Sequence, residues 1–154
     1  MNQIGQGLYT ENEIKLINNM ANCYIRAGHH YDAIDILKPL FRYLQVNLKN
    51  IPPNRAQIPM VAFNYARELE IVKRYDDAIE IAEYARKICI DYGVYTSLSG
   101  ILMILAECYY HLEDHEKSIE LYRQSYYLFK IIEDERNLAI IKTEAKKFLG
   151  LELD

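Results

Sequence analysis

The sequence predicts an all-α protein built from three helix pairs and a final capping helix. Apolar residues recur at helical spacing along nearly the whole chain, and no stretch shows the sustained two-residue alternation of a half-buried strand. The same arrangement of small and bulky residues also returns three times. With 154 residues and 51% apolar content, we expect one domain spanning residues 1–154.

Seven helices are predicted, and turn-forming residues separate them. Gly28 is expected to end the first helix in a left-handed conformation, and a Pro52-Pro53 loop precedes the third helix, with Pro59 in its first turn. Pro39 lies inside the second helix and is expected to kink it. The predicted helices span residues 11–27, 30–48, 57–72, 75–91, 95–112, 115–132 and 135–148.

An internal repeat emerges when the helices are taken as pairs, over residues 11–48, 57–91 and 95–132, with 135–148 as the cap. A small residue followed by isoleucine opens each second helix, and an alanine stands twelve residues before it. Because only small side chains fit where two helices cross, these residues predict the crossing point of each pair. The small residues are Ala33, Ala78 and Ser118, and the alanines are Ala21, Ala66 and Ala106.

Bulky residues flank each predicted crossing. Repeat positions are counted from the small residue that opens the second helix, so the alanines occupy position −12. Positions −13 and −9 carry large side chains, which we expect to fill the space beside the crossing. These residues are Met20, Tyr65 and Leu105 at position −13, and Tyr24, Leu69 and Tyr109 at position −9.

This pattern resembles the tetratricopeptide repeat over residues 14–132. The repeats are longer than the roughly 34 residues of that motif, since Ala78 follows Ala33 by 45 residues and Ser118 follows Ala78 by 40. The resemblance implies a right-handed α-solenoid, with the seventh helix as its cap. Long helix pairs of this kind also resemble the C-terminal sensory domain of peptide-pheromone transcriptional regulators of Gram-positive bacteria, the Rap, Rgg, NprR, PlcR and PrgX class.

The resemblance implies a domain that binds a short peptide or mediates dimerisation. In that class a helix-turn-helix domain precedes the repeats, so we expect this chain to be the ligand-sensing and dimerising part of a longer regulator. The direct entry from residues 1–7 into a full repeat favours this hypothesis. The alternative is a free-standing scaffold that binds a folded partner protein. A homodimer fits either hypothesis, because an uncapped first pair is expected to expose apolar residues such as Ile14 and Ile17.

The expected ligand groove lies on the first helices of the pairs, which line the concave face of a helix-pair solenoid. Asn22 and Asn64 are expected to clamp a peptide backbone, since a carboxamide both donates and accepts hydrogen bonds. Arg26 and Arg67 are expected to hold a carboxylate, and Glu107 a basic or N-terminal group. An ordinary solvated helix surface is the alternative interpretation. The full expected set is Asn18, Asn22, Arg26, Phe63, Asn64, Arg67, Met103, Glu107 and Tyr110.

Composition argues against several other classes of protein. A formal net charge of −4 and a pI near 5.6 predict no direct nucleic-acid binding by this segment. No apolar run is long enough to span a bilayer, so we expect a cytoplasmic protein without membrane contact.

Chemistry is also not expected from the cysteines and histidines. Cys23, Cys89 and Cys108 are widely spaced and predicted to be buried thiols. Cys108, His111 and His115 lie close in sequence, but His115 occupies a packing position of the repeat. No nucleophile elbow or glycine-rich phosphate loop is present. We therefore predict that the chain is not an enzyme and needs no metal or cofactor.

Overall fold

The computed structural model describes residues 9–49 and 54–154, apart from the side chains of residues 54–56. The described residues form seven α-helices and no strand, which confirms the all-α prediction. The helices are α1 (Glu11–Arg26), α2 (His30–Val46), α3 (Asn54–Ile71), α4 (Tyr75–Tyr92), α5 (Leu98–His111), α6 (His115–Ile131) and α7 (Glu135–Leu149). None of these helices combines the length and apolar character needed to cross a bilayer.

Two helices begin away from their predicted starts. α3 begins at Asn54, three residues earlier than predicted, so Pro59 lies inside the helix rather than in its first turn. α5 begins at Leu98, three residues later than predicted, because the preceding residues form a turn in which the Leu98 amide donates to the Tyr95 carbonyl at 3.1 Å. α2 continues through Pro39 at the loss of one intrahelical hydrogen bond. The predicted loop at Pro52-Pro53 and the entry at residues 1–7 lie outside the described residues.

The first helix of each pair ends in the same turn. A left-handed residue follows the helix, with φ of 78° at Gly28 and 64° at both Lys73 and Glu113. The next amide then donates to a carbonyl five residues earlier, as from His29 to Tyr24 at 2.9 Å. This bond satisfies a carbonyl that the helix end would leave unpaired. The predicted left-handed end at Gly28 is confirmed.

The predicted crossing points are buried in all three pairs. The residues at position −12 and at the start of the second helix have no exposed surface. In the third pair, the Ser118 hydroxyl donates to the Ala106 carbonyl at 2.7 Å, so these two positions are in direct contact. Small residues therefore set the distance between the helices of a pair.

The bulky positions behave differently in α1. Positions −13 and −9 are buried or half-buried in α3 and α5, where the preceding α2 and α4 pack against them. The Tyr65 ring, for example, lies 5.8 Å from that of Phe41 in α2. In α1, Met20 is 49% exposed and Tyr24 is 41% exposed, contrary to prediction. These two side chains remain uncovered because none of the described helices precedes α1.

Ile14 and Ile17 do not form the exposed apolar surface that the sequence predicts. Ile14 is 1% exposed and belongs to the core, while Ile17 is half-buried against it. The reason is the helical phase: these residues lie on the side of α1 that faces α2 and α3. The exposed apolar side of α1 carries other residues.

Consecutive helices pack against each other throughout, and the odd-numbered helices also meet. α1 contacts α3, and α3 contacts α5. α7 packs on α6 and reaches α5, where the Phe148 ring stacks on Tyr110 with centroids 4.9 Å apart. The four odd-numbered helices therefore share one side of the molecule, here named the odd-helix face.

Candidate functional site

α7 repeats the register of the other odd-numbered helices. Each of these helices is followed by a left-handed residue, which is Gly28, Lys73, Glu113 or Gly150. Six residues before it, at position −11, stand Asn22, Arg67, Glu107 and Glu144. The sequence predicts α7 only as a cap, so Glu144 is not among the expected site residues.

Charged side chains at this position interact across the odd-helix face. The Arg67 guanidinium donates from Nη1 to Glu107 Oε2 at 2.5 Å and to Glu70 Oε2 at 2.9 Å. On α7, Glu144 accepts a hydrogen bond from the Tyr122 hydroxyl of α6 at 3.0 Å. Arg67, expected to hold a ligand carboxylate, is thus already bound to two carboxyl groups of its own chain.

Burial changes the protonation of these carboxyl groups. Removal from water, reinforced by a hydrogen bond with Glu70 and opposed by the charge of Arg67, raises the pKa of Glu107 to about 8. Burial and the neighbouring charge of Glu107 raise the pKa of Glu144 to about 7. Part of the carboxyl charge is therefore neutralised by protons at neutral pH.

A small pocket lies beside Arg67, between α3 and α5. Its volume is about 230 Å³, and Phe63, Arg67, Gly100 and Met103 form much of its lining. A Cβ at Gly100 would lie 2.6 Å from the Phe63 ring, so glycine is what allows this close approach. Small-molecule sites usually measure about 300–1,000 Å³. The size of this pocket suits an amino-acid side chain better than a cofactor.

Residues from three other elements complete the wall of the α3–α5 pocket. Thr96 and Ser97 precede α5, Phe129 comes from α6, and Asp134 and Asn137 come from the start of α7. The Asp134 carboxylate caps α7 by accepting hydrogen bonds from the Asn137 amide and side chain, at 3.1 and 2.7 Å. The position of α7 therefore helps define the pocket.

The expected groove residues fall into separate groups. Phe63, Arg67 and Met103 line the α3–α5 pocket, and Glu107 adjoins it through Arg67. The Asn64 side chain donates from Nδ2 to the side-chain oxygen Oδ1 of Asn18 at 3.0 Å, which links α3 to α1. Asn18 is only 3% exposed, so it presents almost no surface to a ligand.

The remaining expected residues lie away from the lining of the pocket. Asn22 is half-buried and Arg26 exposed on α1, and neither side chain has a hydrogen bond or ion pair with the described residues. The Tyr110 ring stacks on His115 and Phe148, with centroids 5.4 and 4.9 Å apart. Tyr110 therefore packs within an aromatic cluster instead of facing the pocket.

Packing roles are found for His111, His115 and the two buried cysteines, whereas His30 Nδ1 lies 2.6 Å from Glu68 Oε2. His111 stacks on Tyr75 with centroids 4.7 Å apart, much as His115 stacks on Tyr110. Within residues 9–49 and 54–154, no group of three or more potential ligands is arranged to hold a metal. Cys89 and Cys108 are buried as predicted, and burial raises the pKa of both thiols. Cys23 is exposed, contrary to prediction, because it lies on the uncovered side of α1.

No protein-family model matches this chain. A search of curated proteins also finds no related sequence.

Proposed function

We propose that the chain is a peptide- or protein-binding domain, a right-handed solenoid of tetratricopeptide type whose ligand lies on the odd-helix face. In this proposal it is the ligand-sensing and dimerising part of a helix-turn-helix transcriptional regulator. The α3–α5 pocket carries the proposal, because it places an apolar lining next to charged groups on the face shared by the first helices. The repeated turns and the buried crossings support the solenoid.

The pocket suggests the chemistry of the ligand. Phe63 and Met103 offer an aromatic ring and a thioether to one apolar side chain. Ser97 and Asn137 supply hydrogen-bonding groups at the same wall. Because the Arg67 guanidinium already contacts the carboxyl groups of Glu70 and Glu107, the site offers little attraction to a carboxylate of a ligand. A peptide with an apolar anchor, and no acidic group beside it, fits best.

Selection from a random peptide library tests this function. Peptides selected on the wild-type chain are measured by fluorescence anisotropy against Thr96→Trp, which fills the α3–α5 pocket from an exposed residue. We expect at least about tenfold weaker binding, the loss of about 1.4 kcal/mol. Thr143→Trp is the matched control, on an exposed threonine of α7 that does not line this pocket. Failure to select any peptide, or equal binding by both variants, would rule out this site.

Binding of a folded partner, including a second copy of the chain, is favoured by a different observation. Leu16, Met20 and Tyr24 occupy positions −17, −13 and −9 of α1 and are 62%, 49% and 41% exposed. With the exposed Cys23, they form what we call the α1 outer stripe. The same positions of α3 are buried where α2 packs against them. The stripe therefore has the apolar character of a surface that receives another helix.

A further inference from the structure

A second cleft lies between α2 and α4, with Tyr65 of α3 at its base. We name it the α2–α4 cleft, and its volume is about 230 Å³. Residues of α2 form one wall, and residues of α4 and of the turn before it form the other. The α2–α4 cleft shares no lining residue with the α3–α5 pocket. It is therefore a separate candidate site.

The α2 wall carries two cations that lack a carboxylate partner. Lys38 and Arg42 are four residues apart, so they lie on the same side of α2, where like charges repel each other. Neither side chain forms an ion pair or a hydrogen bond with a residue that the structure describes. Both residues are exposed at the edge of the cleft. An anion bound there would relieve their repulsion.

The α4 wall does not neutralise these cations. Nε and Nη2 of Arg74 lie 2.8 and 2.7 Å from Asp77 Oδ2, so these two charges compensate each other. Glu80 is the other charged residue of this wall, and its carboxylate forms no ion pair within residues 9–49 and 54–154. The lining thus holds three positive and two negative side chains. In a chain of net charge −4, the α2–α4 cleft is locally positive.

The base of the cleft offers a hydrogen-bond donor without a partner. Tyr65 is only 6% exposed, and its hydroxyl forms no hydrogen bond with any described residue. Buried hydroxyl groups usually have such a partner. Burial raises the pKa of Tyr65, against the opposing charges of Arg74 and Arg42, so the hydroxyl keeps its proton. A ligand in the cleft can therefore accept a hydrogen bond from Tyr65.

We propose that the α2–α4 cleft binds a small oxyanion, whose carboxylate or phosphate group contacts Lys38 and Arg42 and accepts a hydrogen bond from Tyr65. The Arg42 guanidinium matches two oxygen atoms of such a group, and Lys38 adds a point charge. A volume of about 230 Å³ is below the range of about 300–1,000 Å³ usual for ligand pockets, which limits the ligand to a small molecule. This site goes beyond the proposed peptide-binding function and does not depend on it.

Titration of the full chain with two small anions tests this site. Succinate supplies carboxylate groups and inorganic phosphate supplies a phosphate group, and the amide signals of α2 and α4 are followed by NMR at constant ionic strength. We expect saturable shifts with at least one anion, and the anion that binds identifies the group. Binding should weaken as sodium chloride is raised. No saturable shift with either anion would overturn the proposal. Because no peptide is present, the result is independent of the α3–α5 pocket.

Two variants should weaken binding of the anion. Arg42→Gln removes one cation from an exposed position, and we expect about fivefold weaker binding. Tyr65→Phe removes only the hydroxyl, which has no partner in the described protein, so the variant should fold and bind about three- to tenfold more weakly. Two residues of α6 outside the cleft give matched controls, the exposed arginine in Arg123→Gln and the buried tyrosine in Tyr126→Phe. Both controls should bind like wild type.

A third variant should change the affinity in the opposite direction. Glu80→Gln removes the unpaired carboxylate of the α4 wall, which repels an oxyanion, so binding should become about twofold tighter. Damage to the fold would not produce tighter binding. Equal affinity of wild type, Arg42→Gln and Tyr65→Phe would show that the anion binds elsewhere and would contradict the proposal.

Discussion

At the residue scale, the left-handed position after α5 carries a strain that the equivalent position after α1 avoids. Glu113 has φ of 64° and Gly28 has φ of 78°. The left-handed region costs an L-residue about 1–2 kcal/mol, while glycine adopts it freely but loses more chain entropy on folding. We expect Glu113→Gly to raise the free energy of unfolding by roughly 0.5 kcal/mol. Denaturant unfolding measures this change.

Two further substitutions control for the side chain and the direction. Glu113→Ala removes the side chain but keeps the strained backbone, so it should leave stability nearly unchanged. Gly28→Ala should lower the free energy of unfolding by about 1 kcal/mol. This loss would come from the backbone conformation and not from a steric clash, since no atom lies within 4 Å of a Cβ built at Gly28. A Glu113→Gly variant less stable than wild type would show that the left-handed turn is not strained.

Among the site residues, a sequence can predict the side of a helix on which a residue lies, but not its bonding partner on another helix. Phe63, Arg67 and Met103, which stand at positions −15 and −11 of the first helices, line one pocket, because position in a repeat fixes the side of a helix. This position does not predict that Arg67 binds Glu107 or that Asn64 binds Asn18. Those bonds depend on distances between helices, which periodicity does not contain. Glu144 could have been found by extending the register to α7.

At the element scale, a leucine at position −12 should destabilise α3, where this position is a helix crossing, but not α7, where it is exposed. Ala66 at position −12 of α3 is fully buried against α4, whereas Thr143 at position −12 of α7 is exposed. A leucine at position 66 would overpack the crossing, and we expect Ala66→Leu to cost about 1–3 kcal/mol. Thr143→Leu should change stability by no more than about 0.5 kcal/mol. Thermal unfolding of both variants measures the difference, and equal effects would refute the assigned crossing.

Helix boundaries were predictable wherever local chemistry decides them. The turns at Gly28, Lys73 and Glu113 follow a fixed pattern of hydrogen bonds, and the predicted breaks coincide with them. The starts of α3 and α5 follow longer connections, where the last residues join a helix or a turn according to packing. Exposure of Met20 was also not predictable, since it depends on what precedes α1 in space rather than in the repeat pattern.

At the scale of the whole molecule, each helix packs mainly on its neighbours, so the two ends differ from the middle. α3 and α5 have neighbours on both sides, while α1 lacks a described helix before it and α7 lacks one after it. In the proposed solenoid, stability and association depend on how the terminal faces are covered. The α1 outer stripe is the more apolar case, with Leu16, Met20 and Tyr24 exposed together.

The α1 outer stripe contains no charged side chain, so two copies can meet there without repulsion between like charges. We expect the wild-type chain to show a concentration-dependent dimer in sedimentation velocity, and Met20→Asp to be monomeric at the same concentrations. Val46→Asp is the control, since Val46 is a 77% exposed apolar residue on α2, outside the stripe. It should dimerise like wild type.

The exposed Cys23 gives a second readout of the same contact. Cys89 and Cys108 are buried, so a thiol reagent applied to the native chain should modify Cys23 first. If the stripe joins two copies, the rate of Cys23 modification should fall as protein concentration rises, and should not fall in Met20→Asp. A monomeric wild-type chain with concentration-independent modification would exclude the homodimer, and would leave the stripe to a different folded partner.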